Sequence, residues 1–456
     1  MERLPMVMVF ALVALLVFLG TAWDSLAYWH WGDEDEKIVA AWMIAEGGRL
    51  YDSVFAHHGP LNYMLSHGVY AATGSIELAP YRAAQWGIML LTGLALAASP
   101  LLRRWRQRLL AGSLFCLLVA LLAPLWYGHT LLYHALGGAA LSMALSLLLL
   151  PVMFGVTPSR LGAALGGAGL AAGVFAAYPF AVSVLLLVLA SLLLAQAGGG
   201  QWRAIRDAIL AAAAGAAGLS LLTLLWLALY GDIVGYGIYH LWLNQVVYAG
   251  FIDYTPGVAV QQLEKLLQSP LGWVLQAAVL FTVLLGIEVR GAGGRVDGLG
   301  ARIRRWLLLV GGCALFLLGL LFLNPRGEEV FKNAALWIVG LGLLSLLIVW
   351  QPRGPANARA VGVLRWIGLF VAVAAPLYLA GIKGWADVDH RYVTRAYADR
   401  MHAALDGQIR LAQALAPAGE PILTTVFLPR WYLLTERLPS SRSEERRVGK
   451  ECATGC

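Results

Sequence analysis

Apolar runs of about the length of a membrane-crossing helix recur from one end of the sequence to the other. A helix of about 20 residues is needed to cross about 30 Å of hydrocarbon. There are eleven such runs, at roughly 6 to 27, 82 to 102, 109 to 127, 131 to 154, 161 to 178, 180 to 197, 208 to 230, 271 to 289, 306 to 323, 334 to 350 and 363 to 382. Because 60% of the residues are hydrophobic and only 13% are charged, a soluble globule is excluded. The sequence predicts an all-α polytopic membrane protein with about eleven transmembrane helices.

The basic residues between these runs fix an orientation. With the N-terminus inside, sixteen arginines flank the runs on the inner side, against six basic residues in the outer loops. Cytoplasmic loops carry such an excess, so we expect the C-terminal segment to lie outside. The first run lacks a small-residue cleavage site and is predicted to be a retained helix. The net charge of +7 comes from these helix-end arginines, so nucleic acid is not implied as a partner.

The outer side is predicted to hold the long loops and a second, small domain. Residues 1–382 form the predicted transmembrane domain, with a long outer loop at about 28–81 and another at 231–270. From Lys383 the hydropathy falls to that of a soluble domain. Tyr392 to Leu415 has helical periodicity and Pro421 to Phe427 is typical of a short buried strand. We therefore expect 383–441 to begin a small α/β outer domain.

The last residues do not read as natural protein. Arg442 to Cys452 is RSEERRVGKEC, a one-frame translation of a common sequencing-adapter string. A solvated basic tail would explain the charges but not a match over eleven residues. We interpret 442–456 as an adapter artefact that truncates the outer domain, and we exclude it from fold reasoning.

Four acids stand together just after the first apolar run: Asp33, Glu34, Asp35 and Glu36. Each would cost about 2.5 to 3.5 kcal/mol at the bilayer centre, so they must lie at water or in a polar cavity. The apolar residues that follow repeat at helical spacing up to a Gly-Gly stop signal at 47–48. This pattern predicts an amphipathic helix along the membrane surface, with the acids in its first turn.

Two interpretations of the acidic turn stay open at this point. Acids in a first helical turn complement the helix dipole, by about 0.3 to 1 kcal/mol each, and need no function. However, four adjacent like charges repel one another, which favours proton uptake by one of them, as a general base requires. The turn also leads into a dense polar and aromatic stretch, Arg49 to Pro60.

The first outer loop resembles that of the GT-C glycosyltransferases, and most closely the protein O-mannosyltransferase and aminoarabinose-transferase-like family. The resemblance lies in the Asp33-Glu34 pair, the fourteen-residue spacing from Asp33 to Gly47, the segment Gly47 to Asp52, and the segment from the His57-His58-Gly59-Pro60 turn to Tyr63. Weaker matches extend it over most of the chain: Pro80-Tyr81-Arg82, Asn324-Pro325-Arg326 and the tail Tyr432 to Arg437.

This resemblance implies a GT-C-like helix bundle that uses a polyprenyl-phosphate-linked sugar as donor and inverts the anomeric carbon. The acceptor would be a glycan, a lipid or a protein. By the spacing to Gly47, the catalytic acid of the family falls on Asp33. Because this sequence repeats the Asp-Glu pair, Asp35 is a rival, and Glu34 completes the candidate set.

Other outer-side residues are candidates for donor binding. The departing phosphate needs cations, and the candidates are Arg82, Lys265, Arg326 and Lys332, although each would also suit simple snorkelling to the interface. Tyr51, His57 and His58 are candidates for positioning the donor, and the histidines would also suit a divalent cation shared with the acids. No other cofactor or metal is implied.

We therefore predict a membrane glycosyltransferase acting at the periplasmic face of a bacterial inner membrane. A transporter or lipid flippase is the rival from another class. Against it, the ionisable residues Asp207, Asp232 and Glu288 lie at span ends, whereas transporters place such groups at the midplane. A non-catalytic scaffold of envelope synthesis is a second rival, and it would need no lipid-phosphate site.

The orientation can be tested with an impermeant thiol reagent. We expect cysteine introduced near Gly48 to be labelled from outside, and cysteine near Gly298 to be protected until the membrane is opened. The reverse pattern would place the acidic loop on the cytoplasmic side and exclude periplasmic chemistry at this loop.

Overall fold

A computed structural model describes most of the transmembrane region and parts of the C-terminal segment. The described residues are 3–30, 32–54, 56, 58–199, 202–246, 271–292, 298–323, 334–351, 358–381, 395–416, 420, 422 and 429–439. Within these ranges the chain is helical, and its only β-type pairings are isolated bridges. The predicted all-α fold is confirmed for this part of the chain.

Sixteen helices are numbered here in chain order. They are α1 Arg3–Ser25, α2 Gly32–Ala45, α3 Pro60–Thr73, α4 Leu78–Ala97, α5 Trp105–Leu122, α6 Tyr133–Met153, α7 Arg160–Ala176, α8 Phe180–Ala197, α9 Trp202–Tyr230, α10 (233–246), α11 Leu271–Ala292, α12 Leu299–Leu321, α13 Ala334–Val349, α14 Ala358–Gly381, α15 Arg395–Leu415 and α16 Arg430–Thr435. Helix α6 contains a π-helical turn, Leu145–Leu149, just before Pro151, whose missing N–H interrupts the regular ladder.

Each of the eleven predicted spans coincides with one of these helices. In the described part of the chain, six helices are long and apolar enough to cross a membrane: α1, α5, α6, α8, α9 and α12. Two more, α7 and α13, are apolar but shorter. A multi-pass membrane protein is confirmed, whereas the number eleven stays a prediction.

Helices α6 and α13 form the centre of the bundle. In the apolar stretch of α6, 94% is buried inside the protein, against 17% of the corresponding stretch in α1 and in α9. Nearly every side chain of α13 is buried as well. The large apolar side chains of α1 and α9 point outwards, which suits helices in contact with lipid. The hydrophobic positions therefore separate the central helices from the peripheral ones.

Helices α7 and α9 approach closely through glycine. A Cβ added to Gly167 would lie 1.9 Å from the carbonyl oxygen of Ala212, and one added to Gly215 would lie 1.9 Å from that of Ala164. Both contacts are with backbone, so neither can relax by a side-chain rotation. The glycines thus permit the close backbone contact that small residues provide in membrane bundles.

The first outer loop folds into α2, a turn and α3. Helix α2 ends at Ala45, and Gly47 adopts a φ of +91°, as expected of the predicted stop signal. Pro60 begins α3, where its missing N–H costs nothing. The preceding Gly59 lies against the end of α7, and a Cβ there would lie 2.2 and 2.4 Å from two α7 carbonyl oxygens.

The C-terminal segment rests on this loop. Helix α15 lies in the stretch predicted to be helical. Of the predicted strand 421–427 only Ile422 lies within the described residues, in an isolated bridge with Pro439. Tyr432 and Leu433 of α16 belong to one buried apolar cluster with residues of α2 and α4. The 442–456 segment lies outside the described residues, so the artefact interpretation stays a prediction.

The close packing of α7 on α9 predicts a position-specific effect of added methyl groups. Gly167→Ala and Gly215→Ala should each lower the free energy of unfolding by about 1–3 kcal/mol, because the backbones must separate. Gly218→Ala is the matched control on α9, since nothing lies within 4 Å of its Cβ position. It should be neutral or stabilise by up to about 1 kcal/mol. Unfolding in mixed micelles measures all three, and equal effects would refute the close contact.

Candidate active site

The four acids at the start of α2 do not share one cavity. Each helical residue advances by about 100°, so residues three apart lie on neighbouring sides. Asp33 and Glu36 face His58. Glu34 instead meets α4, and Asp35 meets α16. The acidic turn is therefore divided among three environments.

Glu34 forms a buried ion pair with Arg82 of α4. The Nε and Nη2 atoms of Arg82 donate to the two carboxylate oxygens at 2.8 and 2.7 Å, and both side chains are at most 1% exposed. The remaining N–H groups of Arg82 donate to the carbonyl oxygens of Ser25, Tyr28 and Trp29 at 3.0, 2.7 and 3.0 Å. All five N–H groups are engaged. This geometry gives Arg82 a structural role and leaves no donor for a phosphate.

Asp35 is enclosed by cationic and aromatic groups. It is fully buried, and its Oδ2 contacts the Nδ1 of His30. Its Oδ1 lies 3.5 Å from Nη1 of Arg430, the first residue of α16. The guanidinium carbon of Arg430 in turn lies 5.6 Å from the ring centroid of Trp29. Asp35 therefore joins the first loop to the C-terminal segment.

Glu36 accepts contacts from three side chains. The hydroxyl of Tyr63 donates to its Oε1. Its Oε2 lies 2.9 Å from Nζ of Lys37 and 3.6 Å from Nε2 of His58. Lys37 is buried, and its ammonium lies 5.0 Å from the ring centroid of Tyr63. Lysine is rarely buried unless it is paired, so this cation is held in place by its partners.

Asp33 completes a group with Glu36 and His58. One ligand atom from each of these three residues lies within 4.8 Å of the others. All three are only partly buried, so the group is open to solvent or a substrate. Two carboxylates and an imidazole are suitable ligands for a divalent cation. We call Asp33, Glu36 and His58 the acid–histidine group.

Two buried tyrosines border this group as hydrogen-bond donors. Burial raises the pKa of both Tyr51 and Tyr63 well above the ordinary value, and the nearby Glu36 charge adds to the shift. Their hydroxyls therefore stay protonated at physiological pH. Tyr63 donates to Glu36, and Tyr51 donates to the carbonyl oxygen of His58.

Tyr51 has a strained backbone that the surrounding structure imposes. Its φ is +64°, a conformation that costs a non-glycine residue about 1–3 kcal/mol. On one side, Leu50 exchanges backbone hydrogen bonds with Tyr230 and Asp232 at 2.9 and 2.8 Å. On the other, a Cβ on Gly235 would lie 2.2 Å from the Tyr51 carbonyl oxygen. The loop is thus fixed to the end of α9 and the start of α10.

Aromatic rings extend from the acid–histidine group across several helices. The ring of His58 stacks on Tyr133 of α6, with centroids 4.4 Å apart and an angle of 24°. Tyr51 lies 5.5 Å from Tyr236 of α10, which stacks on His240 at 5.3 Å. Flat, partly polar rings of this kind can stack on a sugar.

The structure brings together only part of the predicted site. Asp33, Tyr51 and His58 meet around the acid–histidine group, whereas Glu34, Asp35 and Arg82 are engaged elsewhere. The predicted site residues outside the described part of the chain are His57, Lys265, Arg326 and Lys332. Their roles stay predictions.

Four residues that contribute here were not predicted as site residues, although Glu36 is one of the four acids and Tyr63 ends the loop motif. Glu36 lies three residues after Asp33, so helical periodicity alone pairs the two, and Lys37 follows directly. Tyr63 lies three residues after the His-Gly-Pro turn, within the same first turn of α3. No pattern in the sequence indicates Arg430, because nothing local connects it to a loop almost 400 residues earlier.

Comparison with known proteins gives likenesses in structure alone. No family model and no curated protein matches the sequence. The chain is similar to ArnT from Cupriavidus metallidurans in the apo state, with 15% identity over 96% of this chain and 86% of that one, and a TM-score of 0.47. The undecaprenyl-phosphate-bound form gives 18% identity, 95% and 85% coverage, and a TM-score of 0.44.

The chain is also similar to the oligosaccharyltransferase AglB from Archaeoglobus fulgidus, in complex with an inhibitory peptide and a dolichol-phosphate. The identity is 13% over 96% of this chain and 64% of that one, with a TM-score of 0.41. At such identities and scores, the function must be argued from the side chains of this protein.

The buried Arg82–Glu34 pair predicts an asymmetric mutational response. Arg82→Met should lower the free energy of unfolding by about 3–5 kcal/mol, because it leaves Glu34 buried without its counter-charge. Adding Glu34→Met should recover part of that loss. Arg206→Met is the control, because its pair with Asp207 is exposed, and it should change stability by no more than about 1 kcal/mol. Denaturation in mixed micelles measures the set, and parental stability of Arg82→Met would contradict the structural role.

Proposed function

We propose that this protein is a membrane glycosyltransferase that moves a sugar from a polyprenyl-phosphate donor to a cell-envelope glycan, lipid or protein acceptor at the periplasmic face. The single observation that carries the proposal is the partly open acid–histidine group, directly beside a buried lysine, in the loop that resembles the GT-C motif. This arrangement places a carboxylate and a cation in one cluster of side chains. The reaction needs a carboxylate to take the acceptor proton and a cation to stabilise the charge of the departing phosphate.

The reaction itself needs little from the protein. The acceptor oxygen forms a bond with the anomeric carbon, and the bond from that carbon to the phosphate oxygen breaks. The acceptor proton passes to a carboxylate, and the leaving group departs as polyprenyl phosphate. Because the donor carries its own leaving group, alignment, one general base and stabilisation of the phosphate charge suffice.

Asp33 is the best candidate for the general base. Glu36 already contacts Tyr63, Lys37 and His58, so its oxygens are less available to an acceptor hydroxyl. Glu34 and Asp35 are buried against cations on other sides of the helix. Asp33 belongs to the same group as Glu36 and is partly exposed, so an acceptor hydroxyl can reach it.

Lys37 is the described cation closest to this chemistry. Its ammonium lies 2.9 Å from Glu36, within the same cluster of side chains. A buried cation acts in a low dielectric, so it stabilises developing phosphate charge more than a solvated one. If a divalent cation binds, Asp33, Glu36 and His58 would hold it, and it would supply further positive charge for the phosphate. Lys265, Arg326 and Lys332 remain proposals for the same role.

The function can be tested with membranes that contain the protein and a panel of radiolabelled polyprenyl-phosphate sugars. We expect protein-dependent transfer of label from one of these donors, with release of free polyprenyl phosphate. Membranes from the same host without the protein are the control. Movement of intact donor across the bilayer, without cleavage, would instead support the transporter or flippase alternative.

Asp33→Asn tests the assigned base. Turnover should fall by about 10²- to 10⁴-fold, the size expected for a lost general base, while donor binding changes little. Glu46→Gln is the matched control, because this exposed acid lies just beyond the other end of α2. It should retain turnover within about twofold, as a surface substitution away from the site. If Asp33→Asn behaves like Glu46→Gln, the base lies elsewhere.

A further inference from the structure

A buried arginine, Arg430, lies at the junction between the C-terminal segment and the acidic turn of α2. Arg430 is only 7% exposed, and within the described part of the chain its Nε has no hydrogen-bond partner. Among the described residues, its carboxylate partner is Asp35, at 3.5 Å. A buried arginine and a buried aspartate each need the other, because either charge alone would be strongly unfavourable in this interior.

Trp29 borders the Asp35–Arg430 contact, and its ring contacts aromatic side chains of the first loop and of the C-terminal segment. Its ring centroid lies 4.6 Å from that of His30 and 5.1 Å from that of His402 in α15. The Arg430 guanidinium lies over the same ring. One indole therefore contacts the loop before α2, helix α15 and helix α16 together.

The neighbouring apolar contacts make this junction continuous with the body of the protein. Tyr432 and Leu433 of α16 are buried in one cluster with Ile38 and Val39, which lie in the turn of α2 directly after the acids. Helix α16 thus touches α2 through a charge on one turn and through apolar groups on the next.

We propose that Arg430 is a positioning residue for the acid–histidine group, so that the C-terminal segment completes the active site. Glu34 and Asp35 anchor the first turn of α2 on two sides, to Arg82 and to Arg430. With both anchors in place, Asp33 and Glu36 are directed to His58. Releasing the Arg430 anchor lets the start of the turn rotate or fray, which misplaces Asp33, whereas Glu36 and Lys37 stay held by Tyr63. This inference rests on the proposed function for its catalytic consequence only.

The catalytic consequence is tested with Arg430→Ala in the full chain. Turnover should fall about 10- to 100-fold with donor KM nearly unchanged, as expected for a misplacement of about 1 Å at the reacting group. Guanidinium ion added to the assay should restore part of that turnover, because it can occupy the vacated site beside Asp35. Arg410→Ala is the control, since Arg410 is exposed and pairs within α15.

A double-mutant cycle separates positioning from a general structural defect. Asp35→Asn and Arg430→Ala should be strongly non-additive in turnover, because both remove one contact. Additive losses, or a loss that guanidinium does not rescue, would overturn the proposal. If Arg430→Ala does not fold, Arg430→Lys takes its place, because lysine keeps the charge but loses the planar fork.

A second measurement needs no enzymatic activity. Asp33→Cys is placed in a variant whose native cysteines are replaced by serine, and its alkylation by a charged maleimide is timed. Adding Arg430→Ala should change that rate by about fivefold or more, whereas Arg410→Ala should leave it within about twofold. An unchanged rate refutes the positioning role. Absence of turnover in the parent, with the labelling effect present, refutes the proposed function alone.

Discussion

The buried ion pair between Arg82 and Glu34 is the interaction on which the rest of the site depends. Arg82 binds three carbonyl groups at the end of α1 and in the turn after it, and one carboxylate of α2. A single guanidinium therefore orients the exit of the first span and the start of the acidic helix. Such a pair is expensive to bury, and removing one partner leaves an uncompensated buried charge. Together with the Asp35–Arg430 contact, it holds the rotation of the first turn of α2, and with it the direction of the other acids.

The four acids of the turn have different partners because of that rotation. Four adjacent carboxylates would repel one another if they shared one environment. Helix geometry instead sends them to different partners: an arginine of α4, a histidine and an arginine at the C-terminal junction, and a lysine with a tyrosine donor. Repulsion among the four carboxylates is thereby reduced. Asp33 lies in the partly open acid–histidine group and is the acid best placed to take part in chemistry.

Features of the fold and the site that depend on residues close in the sequence were predictable, whereas those that depend on distant residues were not. Bilayer thickness and hydropathy predicted the apolar helices, and the Gly-Gly and Gly-Pro signals predicted the ends of α2 and the start of α3, because each is a local property. Grouping the acids as one cluster was less useful, since their partners Arg82 and Arg430 are set by tertiary packing. Asp33 with Glu36 was predictable from helical periodicity. Arg430 was not, because no local pattern brings α16 to α2.

The glycine of the His-Gly-Pro turn has a consequence beyond this one protein. Its position leaves no room for a side chain, because the carbonyl oxygens at the end of α7 occupy the space where a Cβ would project. The turn that carries His58 and the end of α7 are therefore complementary in shape. In homologues, a larger residue at this position can survive only together with a change in the α7 terminus. Paired variation between residue 59 and residues 175–176 would be the evolutionary record of that contact.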